Sequence, residues 1–306
     1  MGRQTVEAGP IRLDRVVASL SGVGSRARGK RAITTGKVQV DGQTVTEPGH
    51  TLAAGSVVDL DWNRPTVRSA PSRVRRELER LGVGVLFEDR WVVVFDKPSG
   101  LLTDAATGAQ RRTRQTLRGV AAAYLESEAV RPAHRIDRDT TGAVLFAKDR
   151  EGFELLRTQF RARTPERVYD AFVQGEGVPV GHWTDVMAWD HEARLQRRVS
   201  RGHEGAFEAH CDVVLVSEHR GISHLEVRLE TGRRNQIRVM AALRDCPLVG
   251  ERQYLPSGWK HKGVQRNRQA LHSRRIGVDH PHTGDRLVVD SPLPADLQPL
   301  RNTRGG

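Results

Sequence analysis

The stretch HRIDRDTTGAVLFAKD, residues 134–149, places one carboxylate, Asp137, between Arg135 and Arg138. Guanidinium neighbours favour the charged form of an aspartate and lower its pKa by about 1–3 units. We therefore expect Asp137 to be ionised and to act as a nucleophile or a base rather than as an acid. Asp139 follows two residues later, but neither a glycosidase-type acid pair nor a His/Cys metal cluster accompanies it, so no metal site is predicted.

The chain around this motif is strongly basic. Its 306 residues contain 49 lysines and arginines against 37 acids, a formal net charge of +12. That balance favours a polyanionic partner, nucleic acid before membrane, although a solubilising surface charge gives the same count. The two cysteines, Cys211 and Cys246, are too few for a disulfide scaffold. Without an apolar signal core or a long apolar run, a cytoplasmic protein with no membrane partner is expected. A monomer is the default expectation.

Element patterns divide the chain into a small module at residues 11–61, a linker at 62–83 and a larger domain at 84–300. The linker is rich in proline, serine and arginine and runs into a short helix. The larger domain mixes short strands and amphipathic helices without regular βαβ spacing, which predicts an α+β fold with a mostly antiparallel sheet. Asp137 is expected in the loop that leads to the strand AVLFAK.

The small module has the pattern of two short helices and a hairpin. Ser25 is a predicted N-cap, and Asp41-Gly42 favours a type I′ turn. Residues 22–31, GVGSRARGKR, match two nucleotide-binding glycine patterns. A helix rather than a strand precedes them, however, and Arg31 stands where a magnesium-binding Ser or Thr is required, so nucleotide binding is rejected.

The same segment resembles the S4 RNA-binding domain, through Arg12-Leu13-Asp14, Ser25-Arg26-Ala27 and the run GKVQVDG at 36–42. The resemblance implies that four basic side chains face structured RNA: Arg26, Arg28, Lys30 and Lys37. Ordinary solvated charges are the alternative interpretation of these side chains.

Several motifs of the larger domain resemble those of the RluA-type pseudouridine synthases. HRIDRDTTG at 134–142 is similar to the family signature H-R-L-D-x-x-T-S-G. The other similar motifs, in chain order, are DKPSGL at 96–101, RVYDA at 167–171, TGRRNQIR at 231–238, PLVG at 247–250 with Tyr254, LH at 271–272, HPHTG at 280–284 and PLP at 292–294.

The resemblance implies an isomerase that converts uridine into pseudouridine without a cofactor. Asp137 would attack the sugar C1′ or promote departure of the base, and the residues leave that choice open. By resemblance, Arg238 pairs with Asp137 and Tyr169 stacks on the uracil. A base inside a helix is out of reach, so the nucleotide must be flipped out of its stack. Arg135 is implied in displacing it, with a plain pairing to Asp137 as the alternative.

Three further residues are implied on the RNA side of the site: Thr140, Arg167 and Gln236. Thr140 is interpreted first as scaffold of the loop that aims Asp137. The chain departs from the family pattern at Arg167, where lysine is usual, and at Asn235 and Met240, where histidines are usual. These departures leave the three catalytic candidates intact and bear on RNA contacts and substrate choice.

An S4 module joined to this kind of catalytic domain implies large-subunit ribosomal RNA as the target. Transfer RNA is an alternative target, and a non-catalytic ribosome-assembly factor of the same fold is an alternative function. A methyltransferase is rejected because no glycine loop follows a strand. Two basic runs, at 193–201 and 259–268, are predicted as RNA-facing loops, with solvated insertions as the alternative.

Overall fold

The computed structural model describes residues 2–62, 72–104, 116–259 and 267–301. Contacts group the chain into two compact units, Met1–Glu77 with Glu88–Val92, and Leu78–Phe87 with Val93–Gly306. None of the described helices is long and apolar enough to cross a lipid bilayer.

The first unit packs two helices, α1 (Leu13–Ser19) and α2 (Arg26–Thr34), onto a small sheet. The sheet has the order β1-β6-β3-β4, with β1 at Gly2–Thr5, β3 at Val38–Val40, β4 at Gln43–Thr44 and β6 at Val57–Leu60, while β2 (Ile11–Arg12) pairs with β5 (Thr51–Leu52). Strand β1 lies before residue 11, so this sheet extends beyond the predicted start of the module.

Local predictions for this unit are confirmed. The Ser25 hydroxyl accepts a hydrogen bond from the backbone N–H of Arg28 at 3.2 Å, as an N-cap does. Asp41 and Gly42, between β3 and β4, have φ values of 51° and 81°, the left-handed geometry of a type I′ turn.

The second unit is built on an eleven-stranded sheet with the order β13-β12-β14-β15-β11-β16-β10-β8-β7, to which β17 and β9 are added beside β16 and β10. The strands are β7 (Gly84–Glu88), β8 (Val92–Lys97), β9 (Arg131–Pro132), β10 (Thr141–Ala147), β11 (Glu166–Gln174), β12 (Gly181–Asp190), β13 (Leu195–Arg198), β14 (Phe207–His219), β15 (Ile222–Leu229), β16 (Leu271–Asp279) and β17 (Arg286–Asp290). β11 pairs antiparallel with β15 and β16, whereas β10 and β16 run parallel. The predicted α+β class is confirmed.

From residue 72 onwards the described residues form four α-helices, α3 (Ser72–Leu81), α4 (Leu117–Leu125), α5 (Arg150–Ala162) and α6 (Gln236–Ala242), and a 3₁₀ helix at Gln298–Leu300. Most of α3 belongs to the first unit. The short helix expected at the end of the linker is therefore present, while residues 63–71 of that linker lie outside the described residues. Asp149 caps α5 by accepting the N–H of Gly152 at 2.7 Å, and Leu156 turns its fully buried side chain inward.

The basic run at 193–201 was predicted wrongly as a loop. Its residues 195–198 form β13, which pairs antiparallel with β12 and buries Gln196. The exposed arginines of this strand are ion-paired, Arg197 with Asp190 at 3.0 Å and Arg198 with Asp185 at 3.5 Å. Two arginines of the run are therefore paired with carboxylates of β12, while the RNA-facing role of the run stays a prediction.

Of the second basic run, 259–268, residues 260–266 lie outside the described part of the chain. Arg268 is inside it and does not face RNA, because its side chain is 8% exposed and pairs with Asp296 at 2.8 Å. Its Nη1 also donates to the carbonyl oxygen of Asp139 at 3.2 Å. Arg268 thus supports the loop that carries Asp137.

The same loop is tied to β16 where β10 begins. Gly142 has a φ of 115°, and a Cβ there would lie 2.2 Å from the carbonyl oxygen of Ser273, so glycine is required at this crossing. Next to it, the Thr141 hydroxyl lies 2.9 Å from Nδ1 of His272, whose Nε2 lies 3.1 Å from the carbonyl oxygen of Ser291. His272 is therefore structural, with Nε2 as donor and Nδ1 as acceptor.

Candidate active site

Asp137 lies in the loop between β9 and β10, with 26% of its side chain exposed. It lines two clefts, one of about 510 Å³ and one of about 40 Å³. The larger cleft is bordered by six arginines: Arg135, Arg161, Arg163, Arg167, Arg233 and Arg234. The smaller cleft, called the apolar cleft below, has apolar walls from Ile136, Tyr169, Leu229, Ile237 and Leu271, and its remaining lining is polar, from Asp137, Thr140, Arg233, Asn235 and Gln236. The carboxylate thus stands where a basic cleft meets an apolar one.

The buried side chain of Lys97 holds the loop that carries Asp137. Its ammonium group donates to the carbonyl oxygens of Pro98, Leu101 and Arg138 at 2.8, 2.7 and 2.8 Å. Burial lowers the pKa of Lys97 to about 7, because three neutral carbonyl oxygens only partly replace the water around a charged ammonium group. The backbone N–H of Thr140 closes the loop onto the carbonyl oxygen of Asp137 at 3.2 Å.

The predicted lowering of the pKa of Asp137 is wrong. Burial raises this pKa above the ordinary aspartate value, and the charges of Arg238 and Arg135 offset the rise only in part. Arg138, the second flanking arginine, instead bonds Asp139 at 3.1 Å. The prediction counted charges along the chain but not the removal of water. A carboxylate with a raised pKa is a stronger base and nucleophile once it is ionised.

Arg238 lies beside Asp137, as expected, but the contact between them is long. Nη1 of Arg238, on α6, lies 3.7 Å from Oδ2 of Asp137, beyond hydrogen-bond distance. The shorter partner is Glu251, whose two oxygens each accept a bond of 2.8 Å from Nε and Nη2 of Arg238. Sequence reasoning missed Glu251, although it directly follows the PLVG motif at 247–250.

Tyr169 lies on β11 and is 6% exposed. It shares the smaller cleft with Asp137. Burial raises the pKa of the phenol, against the charge of Arg167 and a hydrogen bond with Ser273. Tyr169 therefore stays protonated at neutral pH and presents an aromatic ring beside the carboxylate.

The remaining candidates differ in their surroundings. Arg135 is exposed in the larger cleft. Thr140 lines the smaller cleft, and its buried hydroxyl has no hydrogen-bond partner among the described residues. Arg167 is buried and donates to the carbonyl oxygens of Leu229 and Glu230 at 3.3 and 2.9 Å. These positions bring the three residues to the clefts around Asp137.

Gln236 is occupied by protein contacts. Its Oε1 accepts from the Thr231 hydroxyl at 2.8 Å and from the backbone N–H of Arg233 at 3.0 Å. Its Nε2 donates to the carbonyl oxygen of His210 at 3.0 Å. Through these bonds Gln236 shapes the turn that presents Arg233 and Arg234 to the larger cleft.

Aromatic rings from strands that the sequence patterns did not predict support these two arginines. The guanidinium of Arg233 lies 4.8 Å from the ring centre of Phe207 on β14. That of Arg234 lies 4.0 Å from the ring centre of Trp189 on β12. Such stacking limits the motion of a guanidinium while leaving its edge free to bind phosphate.

His134, the first residue of the motif, is structural. Its Nε2 accepts the backbone N–H of Leu145 at 3.1 Å, and its ring stacks on Phe160. Burial, assisted by the charge of Arg167, lowers the pKa of His134 to about 3. The ring is therefore neutral at physiological pH.

In the first unit, the predicted RNA-binding residues lie on and after α2. Arg26 is half exposed and pairs with the buried Asp14 at 3.2 Å, which Arg12 also contacts at 3.1 Å. Arg28 lies 5.0 Å from the ring centre of Trp62. Lys30 is exposed and Lys37 half-buried.

One group of described side chains has the chemistry to hold a metal ion: His182, Asp212 and Glu230, all exposed. Nδ1 of His182 lies 2.9 Å from Asp212 and 3.5 Å from Glu230. A hydrogen bond between His182 and Asp212 accounts for the shorter distance, and no metal function is assigned to the group.

Comparison with known proteins places this geometry in context. The profile of the family described as RNA pseudouridylate synthase matches residues 91–243, and that of the S4 domain matches 11–58. The uncharacterized RNA pseudouridine synthase YhcT of Bacillus subtilis is 35% identical, over 72% of this chain and 71% of that protein. The ribosomal large subunit pseudouridine synthase D of Pseudomonas aeruginosa is 32% identical, over 95% of this chain and 91% of that protein.

Among solved structures, human RNA pseudouridylate synthase domain containing 4 aligns with a TM-score of 0.56 over 73% of this chain and 92% of that one, at 22% identity. This similarity concerns the fold. Together, the two family profiles and these relatives define an RNA-modifying isomerase. The chain belongs to the RNA pseudouridine synthase family, and the resemblance inferred from the motifs is confirmed.

Proposed function

We propose that this pseudouridine synthase isomerises specific uridines of large-subunit ribosomal RNA, with Asp137 as its nucleophile or base. The observation that carries the proposal is the position of the Asp137 carboxylate at the junction of the basic cleft and the apolar cleft with Tyr169. Both catalytic routes require an ionised carboxylate in contact with the nucleotide.

The two clefts suit the two parts of a flipped nucleotide. The exposed arginines around the larger cleft can bind the phosphates of the RNA backbone: Arg135, Arg161, Arg163, Arg233 and Arg234. The apolar walls and the ring of Tyr169 in the smaller cleft favour a planar base that has left its stack. Arg135, exposed beside Asp137, is placed to occupy the space that the base leaves.

The reaction needs only groups of this chain. The N1–C1′ bond breaks, the uracil rotates, and a C5–C1′ bond forms. The C5 proton is lost and N1 gains a proton, so atoms and electrons balance without a cofactor. Asp137 attacks C1′ or assists departure of the base. Tyr169 is adjacent and protonated, so its hydroxyl can take up the C5 proton only while it passes its own proton on, and the Asp137 carboxylate that is released when C5 bonds to C1′ is the acceptor.

Support for the target comes from the relatives. A protein named for the ribosomal large subunit aligns with 95% of this chain, S4 module included. A cytoplasmic enzyme also fits the two buried free thiols, Cys211 and Cys246, which remain stable in a reducing compartment.

The proposal is tested by incubating the protein with unmodified large-subunit, small-subunit and transfer RNA transcripts and mapping pseudouridines chemically. We expect new sites in large-subunit RNA with the wild type and none with Asp137→Asn, although both bind the RNA equally well. Pseudouridine only in transfer RNA would overturn the target. Tight binding without pseudouridine in any of the three would support the assembly-factor alternative and overturn the catalytic role of Asp137.

A further inference from the structure

Glu251 is the main partner of Arg238, although the motifs do not include it. Its side chain is fully buried, and its two carboxylate oxygens accept 2.8 Å hydrogen bonds from Nε and Nη2 of Arg238. A bidentate pair of this kind fixes both the position and the plane of a guanidinium.

Glu251 is itself held rigidly. Oε1 accepts the backbone N–H groups of Arg252, Gln253 and Tyr254 at 3.0, 2.9 and 3.2 Å. Burial alone would raise the pKa of Glu251, but Arg238 and these N–H groups bring it below its usual value. The carboxylate is therefore ionised and immobile at neutral pH.

Asn235 restrains the third nitrogen of the same guanidinium. Its Oδ1 accepts from Nη1 of Arg238 at 3.1 Å, and its Nδ2 donates to the hydroxyl of Tyr254 at 2.8 Å. Arg238 also lies 5.0 Å from the ring centre of Tyr254. With all three nitrogens engaged, Arg238 stays 3.7 Å from Asp137.

We propose that Glu251 is a positioning residue for the isomerisation: it holds Arg238 close enough to attract the Asp137 carboxylate, yet too far to donate a hydrogen bond to it. The inference rests on the proposed function of Asp137. A hydrogen bond from Arg238 would stabilise the resting carboxylate and weaken it as a nucleophile. By holding Arg238 at this distance, Glu251 leaves Oδ2 of Asp137 free to react.

The charges that face Asp137 determine in which direction its pKa should change when Glu251 is replaced. Arg238, Arg135 and Lys97 lower its pKa, whereas Glu251 and burial raise it. Glu251→Gln removes a negative charge and places an amide N–H₂ against donors of Arg238, which frees the guanidinium to move towards Asp137. The pKa of Asp137 should therefore fall.

The experiment compares Glu251→Gln with Asp185→Asn as a matched control. Asp185 is another buried carboxylate, bonded to Arg244 at 2.6 Å, and it lines neither cleft. Both variants remove one charge from a buried pair, so both should lose thermal stability. In steady-state assays on the responsive RNA, only Glu251→Gln should lose kcat, by about 100-fold, with KM unchanged.

Three further measurements separate positioning from structure. The acidic limb of the pH–rate profile should move to lower pH in Glu251→Gln, and Glu251→Asp, which retains the charge, should restore the wild-type limb. In an Arg238→Lys background, Glu251→Gln should add far less than its own loss, because it acts through Arg238. Multiplicative losses, or an unmoved limb, would overturn the inference.

The failure of this inference is distinguishable from that of the proposed function. Carbon-13 NMR of labelled aspartates, with Asp137→Asn to assign the signal, reports the pKa of Asp137 without turnover. An inactive wild type would contradict the proposed function, while the expected fall of this pKa in Glu251→Gln would still support the positioning. An unchanged pKa in an active enzyme would contradict the positioning alone.

Discussion

At the residue scale, the chemistry of the site depends on a carboxylate that is largely removed from water. The nearest arginine, Arg238, stands 3.7 Å away and is neutralised by Glu251, while Arg138 bonds Asp139. The pKa of Asp137 is accordingly raised by burial. A buried, poorly compensated charge of this kind lowers stability and favours reactivity.

Because burial raises the pKa of Asp137, we expect the variant Asp137→Asn to be more stable than the wild type at neutral pH. The folded-state pKa lies above that of the unfolded chain, so the ionised carboxylate destabilises the fold at neutral pH, and this effect disappears below the ordinary aspartate pKa of about 3.9. We expect Asp137→Asn to abolish isomerisation and to raise the free energy of unfolding at pH 7 by on the order of 1 kcal/mol.

Urea denaturation of the two proteins at a series of pH values checks this. The advantage of the variant should shrink as the pH falls through the raised pKa of Asp137. A variant less stable than the wild type at pH 7 would show that Asp137 is stabilised by its ion pair, contrary to the burial argument.

At the scale of elements, the Asp137 loop is positioned by the parallel pairing of β10 and β16. Thr141 stands opposite His272, and Gly142 opposite Ser273. Lys97, at the end of β8, bonds the carbonyl oxygen of Arg138 from a neighbouring element. The catalytic residue is thus carried by a short loop whose two sides are fixed by different strands.

We expect Gly142→Ala to destabilise the second unit by about 3 kcal/mol or more, since a Cβ at this position meets the backbone of Ser273 at 2.2 Å. Gly205→Ala is the matched control: Gly205 also has a positive φ, of 72°, but no atom lies within 4 Å of its added Cβ. The control should lose only about 1 kcal/mol. Thermal unfolding measures both, and equal losses would contradict the steric argument.

At the scale of the whole molecule, both units present basic side chains to solvent. The second unit concentrates them around the Asp137 cleft. The first carries them on α2, where Arg28 lies over Trp62 and Lys30 is exposed. If the S4 unit serves to bind RNA, its charges contribute affinity and not chemistry.

The double variant Arg28→Gln/Lys30→Gln should therefore weaken RNA binding and reduce the slope of log K against log salt by about 0.7–0.9 for each phosphate that the protein no longer neutralises. With saturating RNA, the isomerisation rate should be unchanged. Arg3→Gln, an exposed charge on β1 rather than α2, is the control and should change neither. Unaltered affinity in the double variant would show that these charges are merely solvated.

Much of the organisation was predictable because it rests on local chemistry. The Ser25 cap and the Asp41-Gly42 turn each depend on interactions that reach only a few residues, and both are present. The motifs predicted Asp137, Tyr169 and Arg238 as one site; the structure places Asp137 and Tyr169 in one cleft and Arg238 3.7 Å from Asp137, while their catalytic roles stay a prediction. The family and its reaction followed from them.

Other features depended on groups that are distant in the chain. β12 and β14 carry the rings under Arg234 and Arg233, and their pattern alone did not reveal them. Glu251 became the partner of Arg238 because folding placed it there, 13 residues away. By itself, the sequence determined which groups are present and which local turns and helices they form. Tertiary structure decided the direction of the Asp137 pKa, because burial and neighbouring charges exist only once the chain has folded.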